Sequence, residues 1–429
     1  MIALVVLLLL FTLLASGTPI GFSMIIAGSA GLLWVGGPDA LYGMLSSMPH
    51  ATAASFEFVT IPMFLLMAEF VLRSGVADDL FRAAAAWCGR VPGGLGMATA
   101  LAGAGFGAIC GSSTASAATL SSTSLPAMLK HGYEPRMAAG VVAISGTLAM
   151  MIPPSIAMVV YGLLADVSIA KLLVGGIVPG MVVTLTIMLT TYGLAKQDPA
   201  RAPLSPSVPW REKFLLLRLV GPMLGLLLMV TGVIYTGIAT PTEASALGAL
   251  GAAALYFLRG RRRFSEVAEL LARATRTSCM VAIILLGAHV FSTFFALTQT
   301  TQGVLAWVGG LPVSPWVIIL VLVGMYLVLG FFMDQMAILV LTVPVVAPLV
   351  SSLGFDLIWF GVIKIVTAEL GMVTPPIGLN CFVVSKYSKT PVSEVFAGTM
   401  PHVATHIVAI AILLLFPSLT LWLPHHMGS

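Results

Sequence analysis

Charge is what this sequence has least of. Of its 429 residues, 20 are Lys or Arg and 16 are Asp or Glu, 8% in all; a soluble globular domain carries about 25%. The deficit runs the whole length of the chain, which excludes a fold whose outer surface is everywhere in water. Cysteine is scarce too. Cys88, Cys110, Cys279 and Cys381 stand far apart with no C-x-x-C spacing, which argues against a disulfide framework or a zinc site. Neither H-E-x-x-H nor G-x-x-x-x-G-K-[ST] is present, so nothing points to a metalloprotease or an ATP-driven motor. Any energy for transport has to come from an ion gradient. Ile2–Ala15 lacks a basic leader and a small-x-small cleavage site, and reads as a retained first span rather than a signal. The formal net charge of +4 comes from basic residues gathered in particular loops; it informs topology and implies no nucleic-acid partner.

What is present is apolar surface. Hydrophobic residues make up 59% of the chain, in recurring runs near the roughly 20 residues that a helix needs to cross a bilayer core. The expected fold is an all-α polytopic membrane protein whose principal environment is the lipid bilayer.

The chain also contains itself twice. Pro153-Pro154 recurs as Pro375-Pro376, an offset of 375 − 153 = 222. The same offset carries Gly132-Tyr133 onto Gly354-Phe355, Glu134 onto Asp356, Pro126 onto Pro348, and Thr18-Pro19 onto Thr240-Pro241. One match means nothing, but five at one spacing mark two repeats, 1–218 and 219–429.

Basic residues orient them. Arg73, Arg82 and Arg90, then Lys130, His131 and Arg136, then Lys196, Arg201, Arg211, Lys213 and Arg218, then Arg259 with Arg261, Arg262 and Arg263, and last Lys386 and Lys389 form successive clusters. Placing all of them in the cytoplasm gives one path. The N-terminus lies outside, spans cross near 1–16, 20–36 and 55–72, a non-crossing hairpin covers about 95–129, and spans follow near 137–164 and 169–192. Five crossings is an odd number, so the second repeat runs inverted, with a hairpin at about 313–350, a broken helix at about 357–386 and an outside C-terminus. The loop Gly36–His50 has no Lys or Arg, while its counterpart is the basic cluster ending at Arg263. Inverted repeats are characteristic of secondary transporters; the alternative is duplication without inversion.

Two pairs of features interrupt the apolar pattern at matching places. Gly111-Ser112-Ser113-Thr114-Ala115-Ser116 falls in the middle of the first hairpin, and Gly330-Phe331-Phe332-Met333-Asp334-Gln335 in the second, with Asp334 on Ser112. Irregular backbone at membrane depth survives only inside protein or beside a wet cavity, where its groups can hold ions. The plainer readings are that the hydroxyls glue helices together and that Asp334 caps a helix. The second pair is Ile152-Pro153-Pro154-Ser155 and Thr374-Pro375-Pro376-Ile377-Gly378-Leu379-Asn380. Consecutive prolines remove two donors and force a helix break, and breaks at matched positions point to a transporter's midplane site; a kink that only shapes packing is the alternative. Glu369, near the second break, either pairs with a base, relays a proton or stays protonated. His289 reads as a packing histidine.

These motifs resemble one family. Gly-Ser-Ser-Thr-Ala-Ser at 111–116, Lys-His-Gly-Tyr at 130–133, Ile-Pro-Pro-Ser-Ile at 152–156 with Tyr161-Gly162, Ala-Thr-Pro-Thr-Glu-Ala at 239–244 and Glu-Leu-Gly-Met-Val-Thr-Pro-Pro-Ile-Gly-Leu-Asn at 369–380 are similar, in this order, to the large membrane subunit of tripartite ATP-independent periplasmic (TRAP) transporters. The resemblance spans essentially the whole chain. It implies an elevator-type carrier in the bacterial inner membrane, driven by a sodium gradient. It also implies a small four-helix membrane subunit as a separate chain, a periplasmic substrate-binding protein and a small carboxylate substrate. By resemblance, Na+ is held by Ser112, Ser113, Thr114, Gly371 and Thr374, complemented by Asp334 and the stretch ending at Pro153. The substrate carboxylate then lies near Ser116, Ser155, Gly378 and Asn380. One departure is visible: the second tip, Phe331-Phe332-Met333-Asp334, is bulkier than the first, so the tips cannot contribute alike.

Other classes compete. A binding-protein-independent anion symporter or proton-coupled carrier would copurify with no soluble partner. A channel would conduct without a driving gradient. An intramembrane hydrolase needs a base near the serine run, and neither a histidine nor a second acid stands there in sequence.

Overall fold

The computed structural model describes residues 2–205, 208–259 and 264–427, and everything described that is regular is helical. Arg261, Arg262 and Arg263 of the strongest basic cluster lie outside the described residues. Among the described residues, seven helices are long and apolar enough to cross a membrane, or up to nine if each of two bent pairs counts as one span.

The helices sort into two layers. In the outer layer, Ile20–Ala54 lies along Phe264–Leu297, with Gly21 against Ile283, Gly28 against Val290 and Phe291, and Gly31 against Phe294. Both numberings rise together, so these helices run parallel. Pro241–Leu258 lies on Thr60–Arg73 in the same way, Gly248 meeting Met67. Val6, Leu10, Met24, Ala27, Phe291 and Phe294 close a small core of their own around the first contact.

The inner layer holds the interrupted elements. The first hairpin is Gly94–Cys110 with Ser113–Lys130, and the second is Pro315–Phe332 with Gln335–Ser352. The first broken helix runs Pro135–Gly146 and Leu148–Met151, then resumes as Ile156–Ala165; the second runs Leu357–Gly371 and resumes as Leu379–Ser388. The returning arm of each hairpin packs on the far arm of the broken helix more distant in sequence: Gln335–Ser352 on Ile156–Ala165, and Ser113–Lys130 on Leu379–Ser388. Neither half is therefore complete alone. Small residues permit this density, because helices in lipid gain nothing from burying apolar surface and depend on close packing.

The charged loops meet on one face. Arg73 pairs with Glu269 at 3.0 Å, Arg201 with Glu134 at 3.5 Å and Arg136 with Glu394 at 4.0 Å. Arg259 also pairs with Asp79, and Lys213 stands over the rings of Trp87 and Trp210.

Two segments differ from expectation. Gly36–His50, expected as a loop, is mostly helical: Gly37 takes a left-handed φ of 71°, and the helix continues through Pro38 to Ala54, since proline suits a first helical position. The charge-bearing stretch after Thr60–Arg73 is the amphipathic helix Val76–Cys88, bent 67° from its predecessor after Gly75. Val76, Ala77, Leu80, Phe81 and Ala83 form its buried stripe, and Asp78 and Asp79 sit at its favourable N-terminal end.

The tightest helix crossing joins Pro135–Gly146 to Val392–Leu415, where a Cβ on Gly140 would stand 2.2 Å from the carbonyl carbon of Gly398. Backbone cannot yield there as a side chain would. Gly140→Ala should destabilise the fold by about 1–3 kcal/mol through overpacking, read as a lower Tm of the purified chain. Gly225→Ala, with nothing within 4 Å of its Cβ, should leave Tm unchanged; equal behaviour of the two variants would refute the crossing.

Candidate ion and substrate site

Each hairpin turns where its polar residues stand. In the first, Gly111 ends the outgoing helix with φ 60°, a conformation glycine takes at no steric cost, and a Cβ there would stand 3.0 Å from Ile156. Ser112 starts the returning helix as its N-cap, Oγ accepting from the Ala115 N–H at 3.4 Å, and lies 3.4 Å from the Thr114 hydroxyl. Ser113, in the next position, is buried and donates to Glu369 Oε2 on the second broken helix.

The second tip reaches the same end by another route. Met333 and Asp334 are both extended, and the Asp334 carboxylate caps the returning helix, accepting from the Ala337 N–H at 2.7 Å. Ser112 and Asp334 thus hold the same local job 222 residues apart (334 − 112 = 222). Asp334 is exposed, so it is no enclosed counter-charge. Met333 turns instead into an apolar cavity of about 240 Å³ with Leu10, Phe291 and Met325.

At the breaks, side chains replace the lost backbone partners. Ser155 donates to the Met150 carbonyl at 2.6 Å and caps the next helix by accepting from the Met158 N–H at 3.4 Å. Thr374 donates to the Leu370 carbonyl at 2.7 Å, which leaves its oxygen lone pairs free to ligate. The freed Met372 carbonyl accepts the Asn380 N–H at 3.1 Å, and the Val373 carbonyl accepts the Thr399 hydroxyl at 3.3 Å. Gly371 lies against Gly330 of the second hairpin, and Gly378 takes φ 57° beside the Thr374 carbonyl and Phe396. Both prolyl bonds, Pro153–Pro154 and Pro375–Pro376, are cis. The two breaks differ in access: Pro153 and Pro154 are buried beside Val174, Ile177 and Thr231, whereas Pro375 and Pro376 are exposed.

Contacts join part of the expected set. Ser113 meets the second broken helix two residues before Gly371, and Gly371 meets the second hairpin. Ser116, Asn380 and Ser155 are fully buried, and the Ser116 hydroxyl and both ends of the Asn380 amide find no hydrogen-bond partner among the described residues. Ser155 is different, its hydroxyl being used within its own break. A buried polar group without a partner is costly, so Ser116 and Asn380 are the positions best prepared for a polar ligand. Two residues that sequence reasoning did not assign to the site share this state. Gln335, first in the returning helix of the second hairpin, is buried with both amide ends unpaired, and Glu369 Oε1 is equally unpaired. The repeat register held the signal for Gln335, which falls on Ser113. Lys364 is fully buried with no hydrogen bond, its ammonium 5.1 Å from the Tyr326 ring centre and 5.8 Å from that of Tyr161.

A cavity of about 660 Å³ lies elsewhere. It opens between the two layers, where Thr52, Glu57, Thr242 and His289 face Asp166 and Ser168. His289 Nδ1 is 3.3 Å from the Thr52 hydroxyl, in keeping with a packing role. Two carboxylates and no Lys or Arg line this cavity, so its charge suits a carboxylate poorly.

The family described as "Tripartite ATP-independent periplasmic transporter, DctM component" matches residues 7–419. This chain belongs to that family. It is accordingly a TRAP large permease subunit, a multi-span transport protein of the inner membrane and not an enzyme. It is similar to the C4-dicarboxylate TRAP transporter large permease protein of Pseudomonas aeruginosa, 35% identical with 91% of each chain covered. It is also similar to the ectoine TRAP large permease of Halomonas elongata, 31% identical over 96% of this chain and 93% of that one. The sialic acid TRAP large permease of Vibrio cholerae is 29% identical over 96% of each. Among solved structures, the YdaH transporter of Alcanivorax borkumensis superposes with a TM-score of 0.66 at 16% identity over 90% of both chains, and MtrF of Neisseria gonorrhoeae with 0.62 at 15% over 88% and 84%. At such identities the likeness concerns the fold. The permease motif at 239–244 is a helix start here: Thr240 caps, Pro241 takes the first position, and Glu243 reaches back to the Thr240 N–H at 2.8 Å.

Capping at the tips has a measurable size. Ser112→Ala and Asp334→Ala should each cost about 0.5–2 kcal/mol, seen as a lower Tm of the purified permease, while Asp334→Asn keeps most of it. An unchanged Tm in Asp334→Ala would show that its carboxylate does not hold the tip.

Proposed function

We propose that this TRAP permease subunit is a sodium-coupled carrier that takes up a small carboxylate-bearing organic anion delivered by a periplasmic binding protein, working with a separate small membrane subunit. The observation that carries the reading is the matched set of capped hairpin tips and proline-broken helices around Ser116 and Asn380, which are buried and unpaired. Ser112, Ser113, Thr114, Gly371 and Thr374 offer hard oxygens of the kind Na+ takes. Ser116 and the Asn380 amide offer donors to a carboxylate, with Gly378 and Ser155 shaping the break beside them. C4-dicarboxylates, sialic acid and ectoine, for which the relatives are named, each bear a carboxylate.

The two halves are inverted repeats that move as an elevator, the inner layer sliding against the outer. Three observations support this. The offset of 222 carries the contact of 20–35 with 282–295 onto that of 242–257 with 60–73, and it relates the two hairpin-on-broken-helix contacts. The ion pairs of Arg73, Arg136, Arg201 and Arg259 unite loops that the charge rule assigns to one side, which leaves both termini periplasmic. Access to the two proline pairs is one-sided, as alternating access requires at any one instant.

Thermal unfolding of the permease with its small membrane subunit, titrated with NaCl against matched KCl, tests the coupling ion without knowledge of the substrate. A ligand of the folded state stabilises by RT ln(1 + [L]/Kd), about 2.7 kcal/mol at a hundredfold excess over Kd. A sodium-specific rise in Tm is expected, lost in Ser112→Ala or Thr374→Ala after allowance for the cap. Equal response to both salts would reject sodium and favour a proton-coupled carrier.

A further inference from the structure

The charged partner of the coupling ion has no assignment in the site described so far, since its hydroxyl and backbone oxygens are neutral and Asp334 is exposed and engaged as a cap. Glu369 is different. It is fully buried, Ser113 donates to its Oε2, and its Oε1 is enclosed with no hydrogen-bond partner.

An enclosed carboxylate without a counter-charge is among the most unfavourable arrangements a protein interior can hold. The nearest base along the helix does not relieve it. Lys364 lies five residues earlier, about 140° round the helix by the 3.6-residue turn, and its ammonium stands between the rings of Tyr161 and Tyr326. No ion pair joins it to Glu369 among the described residues. The surroundings of Glu369 also suit one kind of ion. Asp334 lies within electrostatic reach of Glu369 but is exposed and caps a helix, so the enclosed part of the site holds one carboxylate with neutral oxygens nearby, a set that balances a monovalent cation.

We propose that Glu369 is the anionic ligand of the coupling-ion site, its Oε1 binding one Na+ while the Ser113 hydroxyl orients the other oxygen. This rests on the sodium reading above and adds to it the ligand that carries charge. The ion then ties the first hairpin tip to the second broken helix, which bears both Glu369 and Asn380. It also sets an order. A substrate carboxylate approaching the tip meets the uncompensated charge of Glu369 until the cation is bound, so sodium binds first and raises affinity for the anion, a coupling that is reciprocal at equilibrium.

The test is equilibrium binding of 22Na+ to the purified full-length permease at fixed pH, with Glu369→Gln, Glu369→Asp and Ser113→Ala alongside. Glu369→Gln keeps shape and removes charge, and its half-saturating Na+ concentration should rise at least about tenfold. Ser113→Ala, which removes only the orienting bond, should also weaken binding about tenfold, as loss of an outer-shell partner does, and Glu369→Asp should fall between it and the parent. Glu369→Gln binding Na+ within twofold of the parent would overturn the assignment while leaving sodium coupling intact. No saturable 22Na+ binding by the parent would instead overturn the sodium reading itself. If Glu369→Gln does not yield a monodisperse protein, unchanged Na+ binding in both Glu369→Asp and Ser113→Ala refutes the role.

Discussion

Every backbone amide and carbonyl at membrane depth needs a partner inside the protein, and the two hairpin tips and two Pro-Pro breaks of this chain free such groups within its apolar segments. At each interruption a side chain supplies what the backbone lost. Ser112 and Asp334 cap the returning arms of the hairpins, Ser155 closes the first proline break on both sides, and Thr374 and Thr399, with the backbone N–H of Asn380, satisfy carbonyls at the second. Because these local needs are met, the polar groups left over stand out. At the tips and breaks these are Ser116, Gln335, Glu369 Oε1 and the Asn380 side chain, buried and unpaired, and local structure gives no reason for them. In the proposed reading that reason is the cargo and its ion.

The interlocking of the halves follows from the same constraint. A helical hairpin with a polar tip cannot face lipid on both arms, so each returning arm is covered by the broken helix of the opposite half. One consequence is that tip and break from different halves come together, as Ser113 and Glu369 do. The outer layer carries no hairpin or Pro-Pro break, its long helix Ile20–Ala54 being kinked at Gly37, and its helices pack through glycine contacts such as Gly28 on Val290. The cavity of about 660 Å³ between the layers is walled by Glu57 and Asp166, with His289 but no Lys or Arg among the described lining residues. In an elevator it would be a seam between moving surfaces rather than a seat for an anion.

Charge is distributed as sparingly as the composition suggests. Most of it lies in loop pairs on one face, where water and ion pairs lower its cost. Lys364 and Glu369, the two Lys, Arg, Asp or Glu side chains fully inside among the described residues, share one helix yet face apart, the first toward tyrosine rings and the second toward a serine. Structural convenience alone would have paired them.

Much of this protein is legible in its residues before any folding. The lack of charge dictated lipid as solvent, the recurrence of Pro-Pro at 153–154 and 375–376 suggested two halves, and the ordered motifs identified the TRAP permease family. These are properties of composition and spacing, which need no folding to read. The sequence also marked the tips and breaks, because prolines and clustered hydroxyls disturb a helix wherever they occur. Tertiary structure alone decided which polar residues remain unsatisfied. Asp334 and Ser155 looked like ligands but are taken up locally, while Gln335, which sequence reasoning passed over, and Glu369, whose role it left open, emerge as unpaired. Hydrogen-bond satisfaction depends on neighbours hundreds of residues away, as Ser113 and Glu369 are, and no local pattern encodes it. The amphipathic helix Val76–Cys88 was hidden for a related reason: its charges looked like a loop until the packing of Leu80 and Phe81 gave its apolar stripe a surface to face.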